Sequence, residues 1–161
     1  VKNLKRDASI RVPGVSVFMS RDIDRVPNAL LHNVRHNKVV HKTVILLRVI
    51  TVEVPHANEE HRIELETVED GFYSVTLRYG FMETPDVPAQ VLKLRDKGLA
   101  FDPNEVTYFL GRETILPSDP PGMEMWRENM FAFMTKIASR ANKFYQVPAE
   151  QVIEIGSQVE I

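Results

Sequence analysis

Lys42-Thr-Val-Ile-Leu-Leu-Arg-Val-Ile-Thr51 is the stretch on which the fold turns. It is β-branched, apolar and unalternating apart from Arg48, which predicts a strand buried on both faces. Upstream, Val12-Pro-Gly-Val-Ser-Val-Phe-Met-Ser20 predicts a first strand, with Val15, Val17 and Met19 alternating. Between the two, Asp22, Asp24 and an early Pro27 open a helix that carries Leu30, Leu31 and Val34 and stops near Asn37. Strand, helix and strand at this spacing make a βαβ unit, whose two strands lie parallel and adjacent.

Downstream the pattern changes. Arg62-Ile-Glu-Leu-Glu-Thr67 and Phe72-Tyr-Ser-Val-Thr-Leu-Arg-Tyr79 both alternate, and Glu69-Asp70-Gly71 joins them as a hairpin. Tyr73, Val75, Leu77 and Tyr79 share one face; Ser74, Thr76 and Arg78 share the other, which is expected to be wet. Pro85-Asp86-Val87-Pro88 opens a second helix that ends at Gly98, and a short strand follows at Val106 to Leu110. Trp126, Met130, Phe133, Met134, Ile137 and Ala141 recur at helical spacing, predicting a third helix over 123–145. Trp126 and Phe131 are its candidates for a dimer contact. Pro148 ends it, and a last strand runs from Val152 to Ile161. The order β-α-β-β-β-α-β-α-β predicts an α/β fold, a mixed β-sheet with flanking helices and the middle hairpin as an insertion or extension. Residues 1–9 read as a linker or lead-in and 10–161 as a single domain.

Composition narrows the function classes. With 161 residues, 43% hydrophobic and 26% charged, the chain can bury a substantial core. The absence of cysteine excludes disulfides, thiolate chemistry and Cys-based zinc sites. The longest apolar run, Thr43 to Leu47, is far short of the roughly 20 residues a spanning helix needs. A start at Val1 without methionine or an apolar leader leads us to expect a piece of a longer protein. Net charge is −2, but the first 50 residues carry ten Lys and Arg against three Asp, and the remainder is acidic. That basic third could face nucleic acid, an anionic membrane or plain solvent.

No catalytic constellation is legible. The seven glycines fit neither a dinucleotide-binding nor a phosphate-loop spacing. His32 and His36 stand four apart on a helix, but the intervening Arg35 would repel a cation, so no metal site is expected; Asn33 beside them can bind a backbone or a ligand edge. Glu83, Asp86, Asp102, Glu105 and Glu113 lie near strand ends, where capping and pairing with arginine are their default roles. In Tyr79-Gly-Phe-Met-Glu-Thr-Pro-Asp-Val-Pro88, Phe81 and Met82 are expected to plug the core edge. Thr84 or Asp86 would cap the helix, and Glu83 would gain from its dipole. Arg112 is placed to hold an anion or pair with Glu83, should the two loops meet at one sheet edge.

Several blocks in fixed order carry a resemblance. They are Pro27-Asn-Ala-Leu-Leu-His-Asn33, His36-Asn-Lys38 with Val44-Ile-Leu-Leu47, Tyr79 to Pro88, Tyr108-Phe-Leu-Gly-Arg-Glu113 and Val159-Glu-Ile161. The chain resembles the C-terminal cytosolic region of the KUP family of bacterial potassium uptake permeases. The resemblance implies a transmembrane part elsewhere that carries potassium with protons, and no catalysis, cofactor or nucleic-acid partner for this region. It also implies a place on the cytoplasmic face of the cell's inner membrane and a regulatory and assembly role, with homodimers expected. The alternative is a small-ligand sensor for a nucleotide such as cyclic di-AMP, with Asn33, His36, Tyr79, Glu83, Tyr108 and Arg112 as the speculative ligand-binding set.

Overall fold

Six strands form one sheet in the order β3-β4-β2-β1-β5-β6. In chain order they are β1 Ile10–Met19, β2 Val39–Val52, β3 Ile63–Glu69, β4 Phe72–Gly80, β5 Val106–Leu116 and β6 Val152–Glu160. Among the described residues two short α-helices accompany them, α1 Asn28–His32, prolonged by a wider π turn over Asn33–Asn37, and α2 Val87–Lys93. The computed structural model describes residues 10–20, 26–116 and 145–160, without the side chains of 112–116 and 157–160. The helix expected over 123–145, with Trp126 and Phe131, therefore lies outside the described residues apart from Tyr145, as do Asp22 and Asp24.

All neighbours pair in parallel except β3 with β4, whose antiparallel hairpin is the one expected from Glu69-Asp70-Gly71. Gly71 takes φ +78°, and a Cβ there would meet the Lys42 carbonyl oxygen at 2.5 Å. The hairpin extends the sheet: β4 lies inside it, hydrogen-bonded to both β3 and β2. β5 is longer than the expected Val106 to Leu110, because β6 pairs with it as far as Leu116.

Connection handedness explains the layers. From β1 to β2 the chain moves one way along the sheet, and from β4 to β5 it moves the other. Right-handed crossovers in opposite directions must put their helices on opposite faces. The core accordingly divides in two. Val15, Val17, Ile45, Leu47, Val75 and Leu77 pack with Val87 and Val91 of α2 and with Leu94 that caps it. On the other face Phe18, Val40, Val44, Phe72 and Phe109 pack with Ala29, Leu30 and Val34 of α1 and its π turn. Val44, Ile45 and Leu47 are fully buried, which is how β2 comes to be apolar without alternating.

The hairpin's expected wet face is only partly wet. Glu64 and Glu66 of β3 are exposed, yet Ser74 and Thr76 opposite them are 5% and 3% exposed. Both are short side chains set between longer ones on β2 and β3, and so lie below the solvent front.

Candidate functional site

The most heavily bonded polar assembly among the described residues stands where β4 gives way to α2. At its centre is Arg62, whose side chain is 5% exposed. Its Nε donates to Glu59 Oε1 at 2.6 Å. One terminal nitrogen donates to Glu83 Oε1 at 2.7 Å and the Ala57 carbonyl at 3.2 Å. The other donates to Glu83 Oε2 and the Arg78 carbonyl, both at 3.3 Å. All five N–H donors of the guanidinium thus have an acceptor, and its central carbon Cζ lies 4.9 Å from the centre of the Tyr79 ring.

Glu83 is equally committed. Besides the two bonds from Arg62, its Oε2 accepts the backbone N–H of Gly80 at 2.6 Å and of Ala57 at 2.9 Å. The Arg62 guanidinium, reinforced by those two N–H groups, holds the Glu83 carboxyl down to about 2 from the ordinary 4.5. A depressed carboxyl pKa contributes stability that is complete above the unfolded value and lost as pH falls through the folded one. Stability is therefore expected to decline between pH 4.5 and about 2. In thermal melts from pH 7 down to pH 2, Glu83→Gln should be less stable than the parent at pH 7 and approach it near pH 2. A constant gap would remove Glu83 as the cause.

The clasp fastens residues 53–62 against the end of β4. Phe81 N–H donates to the Val54 carbonyl at 2.9 Å and Met82 N–H to the Pro55 carbonyl at 3.2 Å. Gly80 makes this approach feasible, since a Cβ there would stand 2.1 Å from the Pro55 oxygen. Two expectations are corrected. Phe81 and Met82 do not plug the core edge: they are 59% and 68% exposed, because the backbone bonds to Val54 and Pro55 turn the corner outside the core. Glu83 is not left facing the helix dipole; Asp86 is the cap, its Oδ1 accepting the Ala89 N–H at 3.0 Å, while Glu83 is held by Arg62.

The six residues put forward as a ligand set do not gather in one place. Tyr79 and Tyr108 belong to the core on the α2 face, 4% and 2% exposed. The Tyr79 hydroxyl bonds both the N–H and the carbonyl of Asp86 at 3.1 Å, and burial pushes the Tyr108 phenol's pKa upward. Asn33 packs on the opposite face: it donates to the Val39 carbonyl at 3.0 Å and accepts from Asn37 at 2.8 Å, closing the π turn. His36 is exposed and its ring stacks on His32 at 5.8 Å. Arg112 lies in β5, where it pairs in register with Gly156. Two strands separate β4 from β5, an offset of roughly 14 Å at the usual strand spacing. Glu83, just past the end of β4, and Arg112, within β5, thus belong to well-separated parts of the sheet. Arg62, Glu59 and Gly80 were missed in the sequence; an arginine heading an alternating strand just after Glu59-Glu60 was the available signal.

Residues 13–161 match the family model described as the K+ potassium transporter C-terminal domain. This chain belongs to that family. It is 45% identical over 152 residues to a protein of Myxococcus xanthus named "Probable potassium transport system protein Kup", covering 94% of this chain and 23% of that relative. Similar proteins of Rhizorhabdus wittichii and Zymomonas mobilis are 46% and 40% identical, each over 96% of this chain and 24% of their own length. The chain thus spans about a quarter of the curated relatives it matches. No solved structure matches it. Among the described residues, no helix is long and apolar enough to cross a membrane.

Proposed function

We propose that this chain is the cytosolic regulatory and assembly domain of a potassium uptake transporter, working without catalysis beside a membrane part that carries potassium with protons. The observation that carries this reading is the family match over residues 13–161, at the level of a domain that makes up about a quarter of its relatives. The geometry supports it. The polar joint at Arg62 and Glu83 has each charge tied to a partner, as suits a rigid scaffold and not a site that moves protons. The domain would lie on the cytoplasmic face of the inner membrane and pair with a second copy. We test the reading in a potassium-uptake-deficient strain carrying the full-length transporter with or without this domain. Potassium uptake and the oligomeric state after detergent extraction are both measured. Loss of the domain should change the uptake rate or break up the dimer; if both stay as in the intact protein, the reading fails.

The sensor reading would have the domain bind a nucleotide such as cyclic di-AMP through some of Asn33, His36, Tyr79, Glu83, Tyr108 and Arg112. Their dispersal over two faces of the sheet favours the assembly reading.

A further inference from the structure

Arg48 is the one interruption in the apolar run from Val44 to Ile50 of β2, and no part of the assembly described above uses it. Among the described residues its guanidinium makes no hydrogen bond or ion pair, although its Nε is sealed from solvent. The contrast with Arg62, saturated by five acceptors, is sharp. A buried arginine donor without an acceptor is costly, and such groups are rare in native folds.

Its neighbours are short and polar. Register places Arg48 beside Thr76 and Leu46 beside Ser74, and alternation puts all four side chains on the α1 face of the sheet. Thr76 and Ser74 are 3% and 5% exposed. This face is apolar near α1, where Val44 and Phe72 lie. Towards the carboxyl ends of β2 and β4 it becomes polar and more open, with Arg48 and Arg78 both half-buried. Arg78 is itself engaged, its terminal nitrogen 2.5 Å from Glu64 Oε2. It therefore adds little free charge, and Arg48 remains the uncommitted cation of the patch.

We propose that Arg48, Thr76 and Ser74 form a binding site for a tetrahedral oxyanion, the phosphoryl group of a small molecule. A guanidinium supplies two parallel N–H donors suited to phosphate oxygens, and two hydroxyls can donate to the others. The site lies towards the carboxyl ends of parallel strands, the edge at which open α/β sheets take up ligands. The ligand would fill the open side of the patch and give Arg48 the acceptors it lacks. This inference does not depend on the assembly role, and either can fail without the other.

The test is calorimetric titration of the 161-residue chain with inorganic phosphate and with AMP, using chloride at equal ionic strength as the control. Saturable binding of phosphate points to the free oxyanion; binding of AMP alone points to a phosphoryl group carried on a nucleoside. In either case Arg48→Met should abolish the signal, Arg48→Lys should weaken it, and Thr76→Val should weaken it about tenfold. The melting temperature of unliganded Arg48→Met should equal or exceed that of the parent, since the variant removes a buried N–H donor that has no acceptor. No saturable binding to the parent, binding unchanged in Arg48→Met, or a melting temperature several degrees lower in that variant would each overturn the proposal.

Discussion

Replacing Arg62 by alanine should lower the stability of the chain by about 3 kcal/mol, the low end for breaking a buried ion pair. The loss has two parts. Glu83 would keep a carboxylate only 18% exposed with no cation opposite it, and the Ala57 and Arg78 carbonyls would lose a donor. Glu59, whose side chain is 65% exposed, should contribute little of the loss, because exposed pairs are weak. A drop of this size in a chain of this length corresponds to roughly 6–12 °C in melting temperature. Urea unfolding of Arg62→Ala, Glu83→Gln and the double variant checks it. The two single losses should not add, because both remove the same interaction. Strict additivity would show that Arg62 and Glu83 act independently.

Replacing Phe18 by alanine should cost about 3–5 kcal/mol, the range for truncating a fully buried phenylalanine. Phe18 is 1% exposed and its ring stacks on Phe109, with centroids 4.5 Å apart and planes 14° from parallel. Aromatic pairs of this geometry add about 1 kcal/mol beyond burial. The side chain bridges two parallel strands on the face that α1 covers, so the cavity would open between helix and sheet. Denaturant unfolding followed by tryptophan-independent circular dichroism measures the loss. Phe18→Leu, which keeps most of the volume, should recover more than half of it; a loss under 1 kcal/mol in Phe18→Ala would mean that this face is not packed as described.

Much of the architecture was legible in advance. The unalternating run at Thr43–Leu47 announced a strand with both faces covered, and the two clusters that meet at β2 provide the cover. The helix start at Pro27, the Glu69 to Phe72 hairpin and the Asp86 cap followed from local chemistry, since each depends on residues within one turn of one another. Residues whose roles depend on distant partners were harder to read. Arg62 finds Glu83 across 21 positions, and Gly80 matters only because residues 55 and 56 return to lie against it. Phe81 and Met82 were misplaced for the same reason: their apolarity argued for the core, whereas backbone bonds to Val54 and Pro55 hold them outside it.

By itself the sequence determined the order of the elements, the buried strand at the centre and membership of a potassium-transporter family, because periodicity, turn residues and block order are local or linear properties. Only the tertiary structure decided which charges meet. It gave Arg62 to Glu83, separated Glu83 from Arg112 by two intervening strands, sent Tyr79 and Asn33 to opposite faces, and left the Arg48 Nε without an acceptor among the described residues. Strand order and register set those pairings. Both arise from hydrogen bonds between segments far apart in the chain, where no short-range pattern of residues specifies the partner.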